Sequence, residues 1–143
     1  MNAAFDHCVI DIADDTVIYA PAASVLAVVG DSSTWRRWWP DLMLEVYSDR
    51  GNKGLRWTVS GSLVGSSEIW LEPLASHTSG PAATIVHYYL RATPTRSGSE
   101  IVPRAATNSV REQREVHKLR ERHVLAWKRT IWGLKDSLES SYD

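Results

Sequence analysis

The sequence lacks several features that mark secreted, membrane and metal proteins. Cys8 is the only cysteine among 143 residues, which excludes an internal disulfide and a multi-cysteine metal site. A lone thiol fits a reducing compartment. An apolar stretch without charge, Thr16 to Gly30, is broken by Pro21 and is too short to cross a bilayer, and Asp6 stands where a signal peptide has a basic residue. We therefore expect a cytoplasmic protein without integral membrane association.

The sequence also lacks an excess of charge of either sign. The net charge is -1 and the pI is near 6.5, which argues against a partner held mainly through phosphates. The segment Arg111 to Arg129 has seven basic and three acidic residues, but the acids alternate with the bases as on a solvated helix face. We predict no nucleic-acid partner. The sequence leaves the oligomeric state open, a homodimer included.

Metal-binding patterns are absent as well. None of the histidines forms a pair at helical metal-ligand spacing, and no HExxH motif occurs. The histidines are His7, His77, His87, His117 and His123. We predict neither a metal nor another cofactor.

Tryptophan is abundant, with seven in the chain beside one phenylalanine. They are Trp35, Trp38, Trp39, Trp57, Trp70, Trp127 and Trp132. Burying one indole removes about 150–250 Å² from water and contributes a few kcal/mol at roughly 25 cal/mol per Å². Such rings can fill the space between elements or line a hollow there, and that choice separates a merely folded domain from one that holds a ligand.

The first third of the chain predicts a strand followed by two short helices. Cys8 to Tyr19 is rich in β-branched residues, with a bulge expected at the polar Asp14-Asp15 pair. Ala20-Pro21 opens a short helix, with Pro21 expected in its first turn, and the helix stops at Gly30. The oxygens of residues 31–34 then cap a second helix, Trp35 to Trp39, which Pro40 ends.

The remainder predicts an antiparallel meander and one long helix, hence an α+β fold in a single domain over residues 1–143. The strands expected are Leu42 to Ser48, Gly54 to Ser60, Ser66 to Leu74 and Ala83 to Thr93. Residues 94–109 are predicted to form a long loop with a short extended piece at Glu100 to Val102. From Val110 to about Ser140, apolar residues recur every three or four positions, as in an amphipathic helix.

This order of elements resembles the helix-grip fold of the START/SRPBCC superfamily, which includes polyketide cyclases, lipid-transfer domains and plant allergen relatives. The most specific segments are Tyr19 to Leu26, which looks like the family's passage from strand to helix, and Trp35 to Pro40, which looks like its aromatic second helix. The resemblance implies a curved sheet wrapped around the last helix, with an apolar cavity between them.

Strand alternation predicts which side chains face that cavity. If Gly61 pairs with Gly65, apolar residues of the third and fourth strands share one face and polar ones the other. A two-residue turn at Leu63-Val64 would mix the two kinds, and neither residue readily adopts the positive φ it needs. The predicted ligand-binding residues are Trp39, Trp57, Val59, Ile69, Leu71, Val86, Tyr88, Leu90, Trp127, Ile131 and Leu134.

Catalysis has one weak candidate pair. Glu68 and His87 lie on neighbouring strands in some registers and could act as acid and base on a poly-β-keto chain. In the preferred register both face outward, where a solvated pair with Arg56 or Arg91 is the ordinary outcome.

We therefore expect a protein that binds a hydrophobic small molecule, lipid or polyketide-like, between sheet and terminal helix. The alternatives are a polyketide cyclase/aromatase and a protein-interaction module with a filled core.

Overall fold

The computed structural model describes residues 8–74 and 82–140. Five strands form one antiparallel sheet in the order β1-β5-β4-β3-β2. The strands are β1 (Ile10–Ile18), β2 (Leu42–Asp49), β3 (Gly54–Gly61), β4 (Leu63–Leu74) and β5 (Ala83–Pro94). The helices are α1 (Ala22–Val29), α2 (Ser32–Trp38) and α3 (Val110–Ser140). This is the predicted α+β helix-grip arrangement, with two short helices after the first strand and a long one at the end.

The two short helices place the side chain of Trp39 in the core. Pro21 occupies the position before α1 rather than its first turn, and Gly30 follows the last residue of that helix. Asp31 caps α2 by accepting a hydrogen bond from the Ser33 backbone N–H at 2.9 Å. That N–H also lowers the pKa of the Asp31 carboxyl. Trp39 leaves the helix with φ -131° just before Pro40, and its side chain is buried.

The predicted bulge at Asp14-Asp15 is wrong. β1 pairs with β5 without interruption from Ile10 to Ile18. The irregularity lies instead in β2, between Val46 and Ser48. β1 needs no bulge because strand alternation sends the two carboxylates to opposite faces, where each has its own partner.

The hairpin of β3 and β4 has the predicted faces in a different register. Gly65 lies opposite Val59 rather than opposite Gly61. The shift is two residues, so every side chain stays on its expected face. The turn is tight because Gly61 adopts φ 107° and a Cβ there would lie 2.5 Å from the carbonyl oxygen of Asp41. β4 therefore begins at Leu63, three residues earlier than expected.

The long connection after β5 forms no strand within the described residues. Thr95 makes an isolated bridge to Pro103, and the expected extended piece at Glu100 to Val102 consists of bends. The Gly61 N–H donates to the carbonyl oxygen of Glu100 at 2.9 Å. These contacts hold the connection against one end of the sheet.

The helix α3 packs unevenly along its length of about 46 Å. Trp127, Ile131 and Leu134 are buried and lie in its C-terminal half. Val116 and Leu119, in the N-terminal half, are only partly buried. The sheet therefore grips one half of the helix tightly and the other half loosely.

Candidate functional site

The residues predicted to bind a ligand all lie on the inner face of the fold. Each is at most 8% exposed, and all belong to one hydrophobic core. The inward direction predicted for Val86, Tyr88 and Leu90 is confirmed, since these residues are fully buried while the alternate Arg91 is exposed. The structure therefore brings the whole predicted set together.

The aromatic members of this set contact one another. The rings of Tyr88 and Trp127 stack with centroids 4.0 Å apart, and Trp39 lies parallel to both at 5.8 and 6.2 Å. Trp57 meets the edges of Trp35 at 5.2 Å and of Trp39 at 6.1 Å. The space between the middle of the sheet and the C-terminal half of α3, where the sequence predicts a cavity, is thus occupied by rings in this conformation.

Polar atoms inside this core are mostly paired. The Tyr88 hydroxyl lies 2.8 Å from Nε2 of His123. The Trp127 indole N–H donates to Asp14 at 2.8 Å, and Lys128 pairs with the same carboxylate. Within the described residues, the indole N–H of Trp57 is buried without a hydrogen-bond partner. A buried donor without a hydrogen-bond partner costs about 1–3 kcal/mol, so an acceptor that reached this N–H would be bound favourably.

Burial changes the proton affinities of the Tyr88 and His123 pair. Desolvation raises the pKa of the Tyr88 phenol, so this residue is neutral and can donate its proton. Desolvation lowers the pKa of His123, and the charge of Asp41 opposes that effect. A neutral imidazole accepts through Nε2, which suits the observed distance to the phenol.

An open cavity of about 540 Å³ lies beside the loosely held half of α3. Its volume falls in the range of roughly 300–1,000 Å³ that is usual for small-molecule sites. The apolar lining consists of Val9, Pro94, Pro103, Ala105, Ala106 and Val116. The polar lining consists of Thr93, Arg104, Thr107, Glu112, Gln113, His117 and Arg120. None of these residues is among the predicted ligand-binding residues.

Two guanidinium groups border this cavity with donors to spare. Arg104 donates from Nε to the carbonyl oxygen of Thr95 at 3.3 Å, and Arg120 donates from Nη2 to that of Asp11 at 3.5 Å. Each guanidinium has five N–H donors in a planar fork that matches a carboxylate. The cavity therefore combines an apolar lining with a charged rim of two arginines and one carboxylate, Glu112, and the excess of positive charge suits a ligand that has an apolar body and an anionic head.

One part of the lining of this cavity could be predicted from the sequence, and the rest could not. The half-buried Val116 belongs to the apolar stripe of α3 that the periodicity predicts. The segment 103–107 has no periodic pattern, and its place is set by the bridge between Thr95 and Pro103, which joins residues across the connection.

The structure does not bring Glu68 and His87 together. Both lie on the outer face, as predicted, but Glu68 is opposite Tyr89 in the β4–β5 register. Glu68 accepts from Arg56 at 2.8 Å and from Arg50 at 3.3 Å. The two groups therefore do not form the acid and base pair that the sequence suggested as a hypothesis.

His87 has a different set of neighbours. Its Nδ1 lies 2.5 Å from Asp15, its Nε2 lies 2.9 Å from Glu72, and its ring stacks on Trp70 at 4.3 Å. Both ring nitrogens are thereby engaged by carboxylates. The imidazole ring of His87 is therefore fixed between charged residues and does not face an open site.

A second cavity of about 710 Å³ lies on this outer face and includes Glu68 and Trp70 in its lining. Most of its charged groups are already paired: Arg50 and Arg56 contact Glu68, and Arg91 lies 3.8 Å from Asp11. A ligand here would have to displace ion pairs that are already formed. The cavity beside α3 is therefore the better candidate site.

No cluster of three or more potential ligands among the described residues could hold a metal ion. His7 and His77 lie outside the described residues. None of the described helices has the length and apolar content needed to cross a membrane.

No family model matches the sequence, and no curated protein does. Solved structures with a similar arrangement include DR_A0006 from Deinococcus radiodurans, which is 16% identical at a TM-score of 0.40 and matches over 57% of this chain and 82% of that one. Another is the Zhui aromatase/cyclase from Streptomyces sp. R1128, 12% identical at a TM-score of 0.41, over 88% of this chain and 93% of that one. These similarities are too distant to indicate what this chain binds.

Proposed function

We propose that this protein binds a hydrophobic small molecule, lipid or polyketide-like, in the cavity of about 540 Å³ between the edge of the sheet and the N-terminal half of α3. The observation that carries the proposal is an apolar cavity whose rim holds two arginines, Arg104 and Arg120. Membership of the START/SRPBCC superfamily is part of the proposal, supported by the order of the elements and by the segments Tyr19 to Leu26 and Trp35 to Pro40.

The charged rim decides which ligands bind usefully. A purely apolar ligand that buries about 300 Å² gains roughly 7 kcal/mol, and it loses at least about 4 kcal/mol of translational and rotational freedom. The remainder corresponds to weak binding. A charge-assisted hydrogen bond adds about 1.5–3 kcal/mol, so a carboxylate that reaches Arg104 or Arg120 raises the affinity markedly. The proposed ligand is therefore an amphiphilic acid with a long apolar part.

The aromatic core gives a reason to place the ligand beside α3 rather than in the centre. A ligand at the centre would have to separate rings of Trp39, Tyr88 and Trp127 that already stack on one another. An aromatic pair of this kind contributes about 0.5–1.5 kcal/mol beyond the area it buries. The open cavity requires no such displacement.

The test is a titration with a fluorescent long-chain carboxylate and with the alcohol of equal chain length. The variant Ala106→Trp places an indole in the cavity, so we expect at least a tenfold rise in Kd, about 1.4 kcal/mol, for both probes. The matched control Ala126→Trp adds the same ring at an exposed position of α3 outside the cavity. It should leave both Kd values unchanged.

A second experiment tests the two arginines that border the cavity. The double variant Arg104→Gln with Arg120→Gln should weaken carboxylate binding by roughly 10–100-fold and leave the alcohol nearly unaffected. Binding that survives Ala106→Trp but is lost on changing Trp39 would place the ligand in the aromatic core and contradict the proposed site. Absence of binding by either probe would favour the interaction-module alternative, and turnover of a poly-β-keto mimic would favour the cyclase alternative.

A further inference from the structure

One face of α3 points straight away from the sheet and is exposed along its whole length. At 3.6 residues per turn, residues four, seven and eleven positions from Leu125 fall within about 40° of one line, whereas those three positions away, Arg122 and Lys128, lie about 60° to either side of it. This line, the outer stripe, has Leu125 at its centre and contains Arg114, Lys118, Glu121, Arg129, Trp132 and Asp136, all exposed. The buried Trp127, Ile131 and Leu134 lie on the opposite side. Leu125 and Trp132 are each 57% exposed and lie two turns apart on this line.

The outer stripe is complementary to itself when its direction is reversed. Within the outer stripe, residues at equal distances before and after Leu125 have opposite charges, or pair a cation with an aromatic ring. The pairs are Glu121 with Arg129, Lys118 with Trp132, and Arg114 with Asp136. In two copies of α3 packed antiparallel about a two-fold axis at Leu125, each of these contacts occurs twice. Leu125 then meets its own symmetry mate, and Lys118 lies against the face of Trp132.

Other packings of the same stripe bring like charges together. A parallel pair in register would place Arg114, Lys118 and Arg129 against themselves. An antiparallel pair shifted so that Leu125 meets Trp132 would place Glu121 against Asp136. Opposing like charges disfavour both arrangements. In the antiparallel pair centred on Leu125 the like charges are Arg122 and Lys128, which flank the stripe, and Lys128 is already paired with Asp14, so the charge order favours this geometry.

The charges of the outer stripe are available for such contacts. Within the described part of the chain, the side chains of Arg114, Lys118, Arg129 and Asp136 enter no ion pair. Glu121 binds Nε2 of the neighbouring His117 at 2.9 Å through Oε1, which leaves its second oxygen for an arginine.

We propose that the outer stripe binds a second copy of this chain, forming an antiparallel α3–α3 homodimer whose two-fold axis passes at Leu125. The cavity beside α3 is lined by Val116 and Arg120 on the far side of the helix, and it adjoins the outer stripe at His117, which binds Glu121. The stripe residues themselves do not line the cavity. The homodimer does not depend on the proposed ligand, so each proposal can fail without the other.

Sedimentation velocity over a range of protein concentrations tests the dimer. We expect a reversible species of twice the 16.0 kDa monomer mass, weakened by salt because screening acts on the exposed pairs. Leu125→Glu places two like charges at the axis and should raise the dimer Kd at least about tenfold. Circular dichroism and urea denaturation show that the variant is folded, since position 125 belongs to neither the hydrophobic core nor the cavity lining.

Charge exchange tests the pairing. Asp136→Arg should weaken the dimer, because it opposes Arg114, and adding Arg114→Asp should restore it. The matched control Glu45→Arg makes the same change of charge on β2, an exposed position far along the sequence, and should leave the dimer intact. A monomer at every concentration, or a dimer indifferent to Leu125→Glu and Asp136→Arg, overturns the proposal.

Cysteine cross-linking tests the geometry without relying on affinity. Leu125→Cys should form a disulfide-linked dimer under mild oxidation, because the two copies of position 125 meet at the axis. Lys118→Cys should not, because in the same packing the two copies of position 118 are about 21 Å apart along the helix. The unchanged chain, which contains Cys8, is oxidised in parallel as the background. Equal cross-linking of the two variants would contradict the antiparallel arrangement.

Discussion

Asp14 and Asp15 are neighbours in β1, and their side chains have unrelated roles because a strand turns successive residues to opposite faces. Asp14 faces the core, where it accepts the indole N–H of Trp127 and pairs with Lys128 of the same helix. Asp15 faces outward and binds His87. The sequence shows two adjacent carboxylates, and only the positions of the distant partners explain why both are there.

Single residues of the core also set a pH dependence. Burial lowers the pKa of His123 below its ordinary 6.5, so the unfolded chain binds a proton more readily than the native one just below that value. The contribution of His123 to stability is therefore complete above pH 6.5 and is lost as the pH falls through its lower native pKa. We expect the free energy of unfolding to decrease with falling pH in this window.

Urea denaturation of the protein and of His123→Gln at pH 8 and at successive pH values below 6.5 measures this effect. Glutamine keeps an acceptor for the Tyr88 hydroxyl but does not titrate, so the variant should show a shallower loss of stability below pH 6.5. Equal slopes for the two proteins would show that His123 is not the titrating group.

At the scale of elements, two glycines differ in what surrounds them. Gly133 lies within α3, and a Cβ there would meet no atom within 4 Å. Gly65 lies in β4, where a Cβ would come within 2.0 Å of the carbonyl oxygen of Arg91. The first glycine only weakens its helix, whereas the second allows β4 and β5 to approach.

Alanine at these positions should act in opposite directions. Gly133→Ala should stabilise the protein by about 0.4–1 kcal/mol, since it reduces the freedom of the unfolded chain in a helical position. Gly65→Ala should destabilise it by about 1–3 kcal/mol through overpacking. Thermal or chemical unfolding measures both changes, and a destabilised Gly133→Ala would contradict the open surroundings of that position.

Periodicity predicted the elements well because it is a local property. The apolar spacing of α3 gave its extent, Val110 to Ser140, and alternation gave the faces of β3 and β4. The exact register of that hairpin could not be obtained in this way, because a shift of two residues leaves the alternation unchanged. The close approach of Gly61 to the Asp41 carbonyl oxygen, just before β2, is a contact between separate segments that alternation does not contain.

At the scale of the whole molecule, the packing of α3 predicts a gradient of stability. Its buried residues, Trp127, Ile131 and Leu134, all lie in the C-terminal half, and the N-terminal half adjoins the open cavity. Local opening requires less free energy where fewer apolar groups are buried.

Hydrogen exchange followed by mass spectrometry or NMR can detect this gradient. Amides of residues 116–124 should exchange faster than those of residues 127–136, and a ligand in the cavity should slow the first group more than the second. Both windows lie inside the helix, so fraying of its ends does not account for the difference. Uniform protection along α3 would contradict the predicted gradient of stability.

The sequence by itself determined the α+β class, the order and faces of the elements and the identity of the core residues, because these follow from spacing along one segment at a time. Tertiary structure alone decided that Trp39, Tyr88 and Trp127 stack at the centre, and that the open volume lies near Val116 and Arg104. Whether rings fill or border a space depends on distances between segments far apart in the chain. No local pattern contains those distances.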